Sequence, residues 1–181
     1  MISHPIPKVL LRDLSFEAID AVLRLHPGYD MQRFVEPVAR TIALSLVGNN
    51  LGYPGFFQLI CCDEVPVGIV LIGRAPVEAH EPAILQSFKY VYRLMGFFVD
   101  HRHQHKGIGR AALRLALEKL EAYPDGDRLP VYLECHQDNT AALSLYFSIG
   151  FNDIGALLDD GDRILVRLPT PRHPDCPKKG R

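Results

Sequence analysis

Apolar and polar positions change period repeatedly along the chain, and each change marks an element. Residues 8–12 are a short apolar run closing on charge, which predicts a first strand. Ser15 then stands as an N-cap before Phe16, Ile19, Val22 and Leu23, at helical spacing until Pro27-Gly28 stops the pattern. A second helix is predicted from Pro37, carrying Val38, Ile42, Leu46 and Val47 and ending at Gly48-Asn49-Asn50. Between them, residues 26–36 have no period and read as loop. Residues 56–62 and 67–72 are β-rich runs on either side of Asp63-Glu64, a hairpin signal. Residues 73–87 contain Pro76 and Pro82 and read as a long loop.

The second half is more regular. A long strand is predicted over 89–99, then a polar loop and a helix over 107–123. Its polar stripe is Arg110, Arg114, Glu118 and Glu121, the expected solvent face. A strand over 129–135 precedes a short helix over 139–148 that ends at Gly150. Residues 151–158 and 163–168 flank Asp159-Asp160-Gly161-Asp162, a second hairpin. The order β, α, α, β, β, β, α, β, α, β, β predicts one α/β domain over residues 1–168 with a mixed sheet. Residues 169–181 are rich in Pro and Lys and read as a tail, disordered or pinned to a partner.

Composition narrows the classes. The chain has 181 residues, 48% of them hydrophobic, which is enough for one core. A formal net charge of −1 gives no general case for nucleic acid or a membrane surface. Cys61, Cys62, Cys135 and Cys176 lack the spacing of a metal site or a disulfide framework. No secretory signal and no bilayer-length apolar run are visible, so a cytoplasmic protein is the expectation. Oligomeric state is left open, a homodimer included.

The chemistry concentrates in Phe97 to Leu113, F-F-V-D-H-R-H-Q-H-K-G-I-G-R-A-A-L. A buried strand ends at Val99, and Gly107 and Gly109 open a helix whose free N–H groups and dipole favour an anion. Arg102, Lys106 and Arg110 surround the loop with positive charge, which suits a diphosphate. A Walker loop is excluded, because Gly109 is followed by Arg110-Ala111 and not by Lys-Ser/Thr. G-I-G-R-A-A meets a variant of the dinucleotide fingerprint, but residues 101–106 separate it from its strand, so it ranks second. His101, His103 and His105 alternate without acidic partners and read as solvated, and no metal is expected.

Gln104-His105-Lys106-Gly107-Ile108-Gly109 resembles the (Arg/Gln)-x-x-Gly-x-(Gly/Ala) loop of the GNAT superfamily of N-acetyltransferases. The downstream run D-N-T-A-A-L-S-L-Y-F-S-I-G-F resembles that superfamily's Asn…Ala…Leu-Tyr…Gly-Phe segment. The branch it looks closest to acetylates spermidine and diamines. His105 departs from the common Gly there, although His tolerates a positive φ better than most residues.

The resemblance implies a twisted sheet splayed between the strands at Val99 and Val131, with helices on both faces and acetyl-CoA as cosubstrate in the splay. It further implies that Phe98 and Val99 pair their backbone with the pantetheine arm. The backbone of Gln104, His105, Lys106, Gly107, Ile108, Gly109 and Arg110 would cradle the diphosphate. Asn139 would bond the arm farther along, and Tyr146 would act as general acid near the thioester sulfur. Glu134 looks like the general base of ribosomal-protein alanine acetyltransferases, which also precedes the tyrosine by twelve residues. Strand alternation puts Glu134 on one face with Tyr132 and His136.

The expected acceptor is a small amine, a polyamine or diamine, met by Asp30, Glu36, Glu78 and Glu81 in loops flanking a cleft. A peptide N-terminus is the alternative, and a non-catalytic acyl-CoA sensor of the same fold is the second class.

Overall fold

A computed structural model describes residues 8–169; positions 1–7 and 170–181, which hold Cys176 and nearly all of the expected tail, lie outside it. The strands are β1 (Val9–Arg12), β2 (Gly55–Cys62), β3 (Val65–Pro76), β4 (Tyr90–Val99), β5 (Val131–His136), β6 (Asn152–Leu157) and β7 (Asp162–Arg167). The helices are α1 (Ile19–Leu23), α2 (Val38–Asn50), α3 (Ile108–Leu120) and α4 (Thr140–Phe147). The strands form a seven-stranded sheet in the order β1-β2-β3-β4-β5-β7-β6. Every neighbouring pair is antiparallel except β4 and β5. With one parallel pair the sheet is not doubly wound, which removes the dinucleotide-fold reading.

Alternation along the central strands feeds three buried clusters, two of which meet the α-helices. Ile60, Val70, Leu133 and Cys135 face α3 and α4, meeting Ile108, Leu113, Leu143 and Tyr146. Leu59, Cys61, Ile69 and Phe98 face the other way, against Val22 of α1 and Val38 of α2. Helices therefore cover both faces. The predicted stripe Arg110, Arg114, Glu118 and Glu121 is exposed, because the opposite side of α3 supplies the core residues Ala112, Leu113, Ala116 and Leu120.

Three elements differ from their sequence-based reading. The first helix is only a 3₁₀ turn, Phe16–Ala18, followed by α1, and Ser15 makes no side-chain cap bond. Its continuation is lost because the His26 N–H bonds the Asp100 carboxylate at 3.0 Å and the His26 carbonyl accepts from the His101 N–H at 2.9 Å. The supposed loop 26–36 contains a 3₁₀ helix, Tyr29–Phe34. Likewise β3 runs on to Pro76, since Gly73 to Pro76 find partners in Arg93 to Tyr90 of β4. The remainder of that segment turns through Ala83–Leu85 and is anchored by the fully buried Leu85.

Candidate functional site

β4 and β5 pair only at Tyr92↔Val131 and Arg93↔Tyr132. Beyond those residues the strands part. A register shift in β4 opposite Leu71 and Ile72 leaves Met95 as an extra residue, a bulge that bends the strand where the separation begins. Thr41 of α2 packs so tightly on Gly96 that an added Cβ would lie 2.6 Å from its Cγ2. The result is an open cleft of about 910 Å³ between β4, β5, α4 and the segment around Phe34.

The phase of β4 decides which backbone groups face the cleft. The Asp100 N–H donates to Val67 of β3 at 2.7 Å. By strand alternation Phe98 also turns its N–H and C=O to β3, whereas Phe97 and Val99 turn theirs to the open edge. Phe98, expected to offer its backbone to the arm, thus turns it to β3, and Phe97 turns its own to the cleft. The Val99 carbonyl accepts from Gln104 Nε2 at 2.8 Å, which leaves its N–H on the open edge.

The loop after β4 is held from two directions. Gln104 Nε2 also donates to the Pro27 carbonyl at 2.9 Å, tying the loop to the segment behind it. Asp100, fully buried, accepts from Arg102 Nε at 2.8 Å, from the Arg102 N–H at 3.0 Å and from the His26 N–H. Burial alone would push the Asp100 carboxyl up, but the bonds from Arg102 and His26 outweigh it and hold the carboxyl well below its usual range. Arg102 is thus neutralised by Asp100 and is not the mobile cation expected for a diphosphate. Lys106 is exposed, with Nζ on the Arg102 carbonyl at 3.0 Å, and Arg110 is exposed without an acidic partner among the described residues.

His105 adopts φ 61° and Gly107 φ 77°, both left-handed. Gly107 is the N-cap of α3, and the first helical bond runs from Ala111 N–H to the Gly107 carbonyl. The N–H groups of Ile108, Gly109 and Arg110 consequently have no intrahelical partner. The Ile108 side chain is core, 2% exposed, so only its backbone is offered outward. Gln104, His105 and Gly109 line the cleft, whereas Lys106, Gly107, Ile108 and Arg110 do not. This free N–H cluster and the open edge of Phe97 and Val99 suit an extended arm ending in a diphosphate.

Asn139, Tyr146 and Glu134 line the same cleft. Asn139 caps α4, with Oδ1 accepting from the Ala142 N–H at 3.2 Å, which leaves its amide N–H₂ free of that bond. Tyr146 packs near Phe97 and Phe151, at ring separations of 6.5 and 5.8 Å. Burial, then the neighbouring Cys135, push its phenol above the usual range, so it keeps its proton. Among the described residues nothing hydrogen-bonds its hydroxyl, and that oxygen is not among the fully buried polar atoms, so it opens onto the cleft. Glu134 lies on the opposite face of β5, exposed, and accepts a short hydrogen bond from Tyr132 Oη.

The acidic residues rearrange. Glu81 is buried and bonded to Arg93 Nη2, so it is spent inside the protein. Glu78 and Asp30 are exposed and do not line the cleft. Glu36 does line it, paired with Arg40 at 3.0 Å. The acids that sequence reasoning missed are Asp160 and Asp162, which join Glu36 and Glu134 on the cleft wall. Burial, then Asp160, raise the Asp162 carboxyl above its usual range, with His136 working against them. Their D-D-G-D signal was absorbed by the hairpin, and nothing in it indicated that the hairpin reaches the cleft. Gly161 meets the His136 ring so closely that a Cβ would sit 2.9 Å from Nε2, which brings the hairpin tip against the end of β5.

The description "Acetyltransferase (GNAT) family" matches residues 24–151. Among curated relatives, the N-alpha-acetyltransferase RimI of Mycobacterium tuberculosis is 40% identical over 88 residues, 49% of this chain and 44% of that one. The spermine/spermidine N(1)-acetyltransferase of Bacillus subtilis is 32% identical over 71 residues, 39% of this chain and 45% of that one. The chain thus matches under half the length of these relatives. In three dimensions it resembles the YncA structure of Salmonella typhimurium, solved with its cofactor acetyl-CoA. The TM-score is 0.64 at 16% identity, covering 96% of this chain and 99% of that one. No described helix is long and apolar enough to cross a membrane, and no described cluster of His, Cys, Asp or Glu is arranged to hold a metal.

Proposed function

Because the chain belongs to the acetyltransferase (GNAT) family, we propose that it transfers an acetyl group from acetyl-CoA to a primary amine by direct attack in the cleft between β4 and β5. The carrying observation is the parting of the two strands after Arg93 and Tyr132, with the unpaired N–H cluster of α3 at one end. Acetyl-CoA supplies the thioester carbonyl. The N–H groups of Phe97 and Val99 and the Asn139 amide align the arm, and the loop Gln104 to Arg110 meets the diphosphate. Alignment is the main advantage, since a held pair of reactants gains about 10⁵–10⁸ M in effective concentration.

The amine nitrogen forms its bond to the carbonyl carbon as the carbon–sulfur bond breaks. Glu134 takes the proton from the ammonium, directly or through one water. Tyr146 gives its proton to the departing sulfur and regains one from solvent. A thiol of pKa about 8.5 leaves readily, so this acid need supply only about 10²–10⁴ in rate. Backbone N–H groups of β4 stabilise the developing oxyanion.

The acceptor we favour is a small polyamine or diamine. Four carboxylates, Glu36, Glu134, Asp160 and Asp162, line the cleft and favour a polycation by complementarity. The likeness to the B. subtilis spermine/spermidine enzyme agrees with this reading. The higher identity to RimI, with the Glu134-to-Tyr146 spacing, favours a peptide N-terminus as the second reading. The test is kcat/KM for spermidine against an Ala-initiated peptide at low and high salt. A steep salt penalty on spermidine supports acidic capture; a ten-fold or greater preference for the peptide gives the site to the second reading.

A further inference from the structure

Glu134 is exposed at the unpaired edge of β5, so packing does not fix its carboxylate. What fixes it is one hydrogen bond from Tyr132, two residues earlier on the same face. Tyr132 is 4% exposed and sits at the last paired position before the strands part, directly opposite Arg93. The Arg93 guanidinium lies 4.8 Å from the Tyr132 ring centroid, within cation–π range. Arg93 is in turn bonded to the buried Glu81.

Glu81 is built into the turn after β3. Its second carboxylate oxygen accepts from the Glu78 N–H at 2.9 Å. Gln86 Nε2 donates to the Glu78 and Glu81 carbonyls, each at 2.9 Å. A chain of contacts therefore runs from that turn through Glu81, Arg93 and Tyr132 to Glu134. Arg93 Nε is buried without a hydrogen-bond partner, so the guanidinium is oriented by Glu81 and by the ring. Arginine's planar head meets the carboxylate and the ring at once, a geometry that an ammonium matches less well.

We infer that Tyr132 and Arg93 are positioning residues for acetyl transfer, holding the Glu134 carboxylate toward the acceptor through the Tyr132 hydroxyl, with Glu81 anchoring Arg93. The inference rests on the reading of Glu134 as the base. Tyr132 exchanges no proton in the reaction; burial and its bond to Glu134 push its phenol above the usual range, so it stays a donor. Loss of the hydroxyl leaves the carboxylate free to rotate into solvent, lowering turnover without touching the cofactor arm.

The test is a double-mutant cycle on the full chain with acetyl-CoA and the preferred amine. Tyr132→Phe is expected to lower kcat about ten-fold at unchanged KM for acetyl-CoA, and to cost nothing further in a Glu134→Gln background. Arg93→Lys is expected to fall between wild type and Arg93→Met, its loss also vanishing with Glu134→Gln. Unchanged kcat in Tyr132→Phe overturns the inference, as does a full additional loss in the Glu134→Gln background. Should Tyr132→Phe unfold, the Arg93→Lys arm decides by the same criteria. If Glu134→Gln itself leaves kcat intact, the base assignment fails, and the inference falls with it by a separately visible route.

Discussion

The two walls of the cleft are built on different principles. The wall toward α3 is made of backbone: the open edge of Phe97 and Val99, and the first-turn N–H groups after Gly107. It is fixed by contacts pointing away from the ligand, Asp100 on His26 and Gln104 on Pro27. The opposite wall is made of side chains gathered from distant segments, among them Glu36, Glu134, Asp160 and Asp162. A backbone wall accommodates one cosubstrate and tolerates side-chain change. A side-chain wall can be retuned residue by residue.

The largest expected effect probes Tyr146, which lines the cleft and is the proposed acid. Tyr146→Phe should lower kcat by about ten- to a hundred-fold with little change in CoA affinity, because the hydroxyl acts only as the sulfur departs. Steady-state kinetics beside calorimetry check it. Unchanged kcat reduces Tyr146 to packing against Phe97 and Phe151.

Next comes the support behind the backbone wall. Asp100→Asn should cost about 1–3 kcal/mol of stability, since it weakens bonds to Arg102 and His26. The sign in pH follows from the lowered carboxyl. Its contribution is complete above the unfolded pKa of about 3.9 and fades as pH falls through the depressed folded value. Urea unfolding of both proteins at neutral and acid pH should show the gap narrowing on acidification. A gap that widens contradicts the assignment.

The smallest effect is placed on the side-chain wall. Asp160→Asn should raise KM for spermidine about two- to five-fold at low salt, less at high salt, leaving KM for acetyl-CoA unchanged. Equal loss for a neutral amine would show that the hairpin acts by shape and not by charge.

The same division explains what could be read from the sequence. The positive φ of Gly107 and of His105 are local backbone requirements, so the turn into α3 was legible from a short window. The hairpins and the solvent stripe of α3 were legible for the same reason. The pairing of Phe98 with β3 was not, because strand phase depends on a neighbour about thirty residues away. Glu81 could not be told from a solvated loop acid without Arg93, nor could the shortening of α1 be seen without Asp100. Asp160 and Asp162 carried a turn signal strong enough to hide their place on the cleft wall.

The most direct test of the central claim is calorimetric titration of the full chain with CoA, with NAD titrated in parallel. A single CoA site of micromolar affinity and no heat from NAD are expected, because the loop from Gln104 to Gly109 and the parted strands fit an extended arm with a diphosphate. Binding of NAD without binding of CoA would contradict the claim.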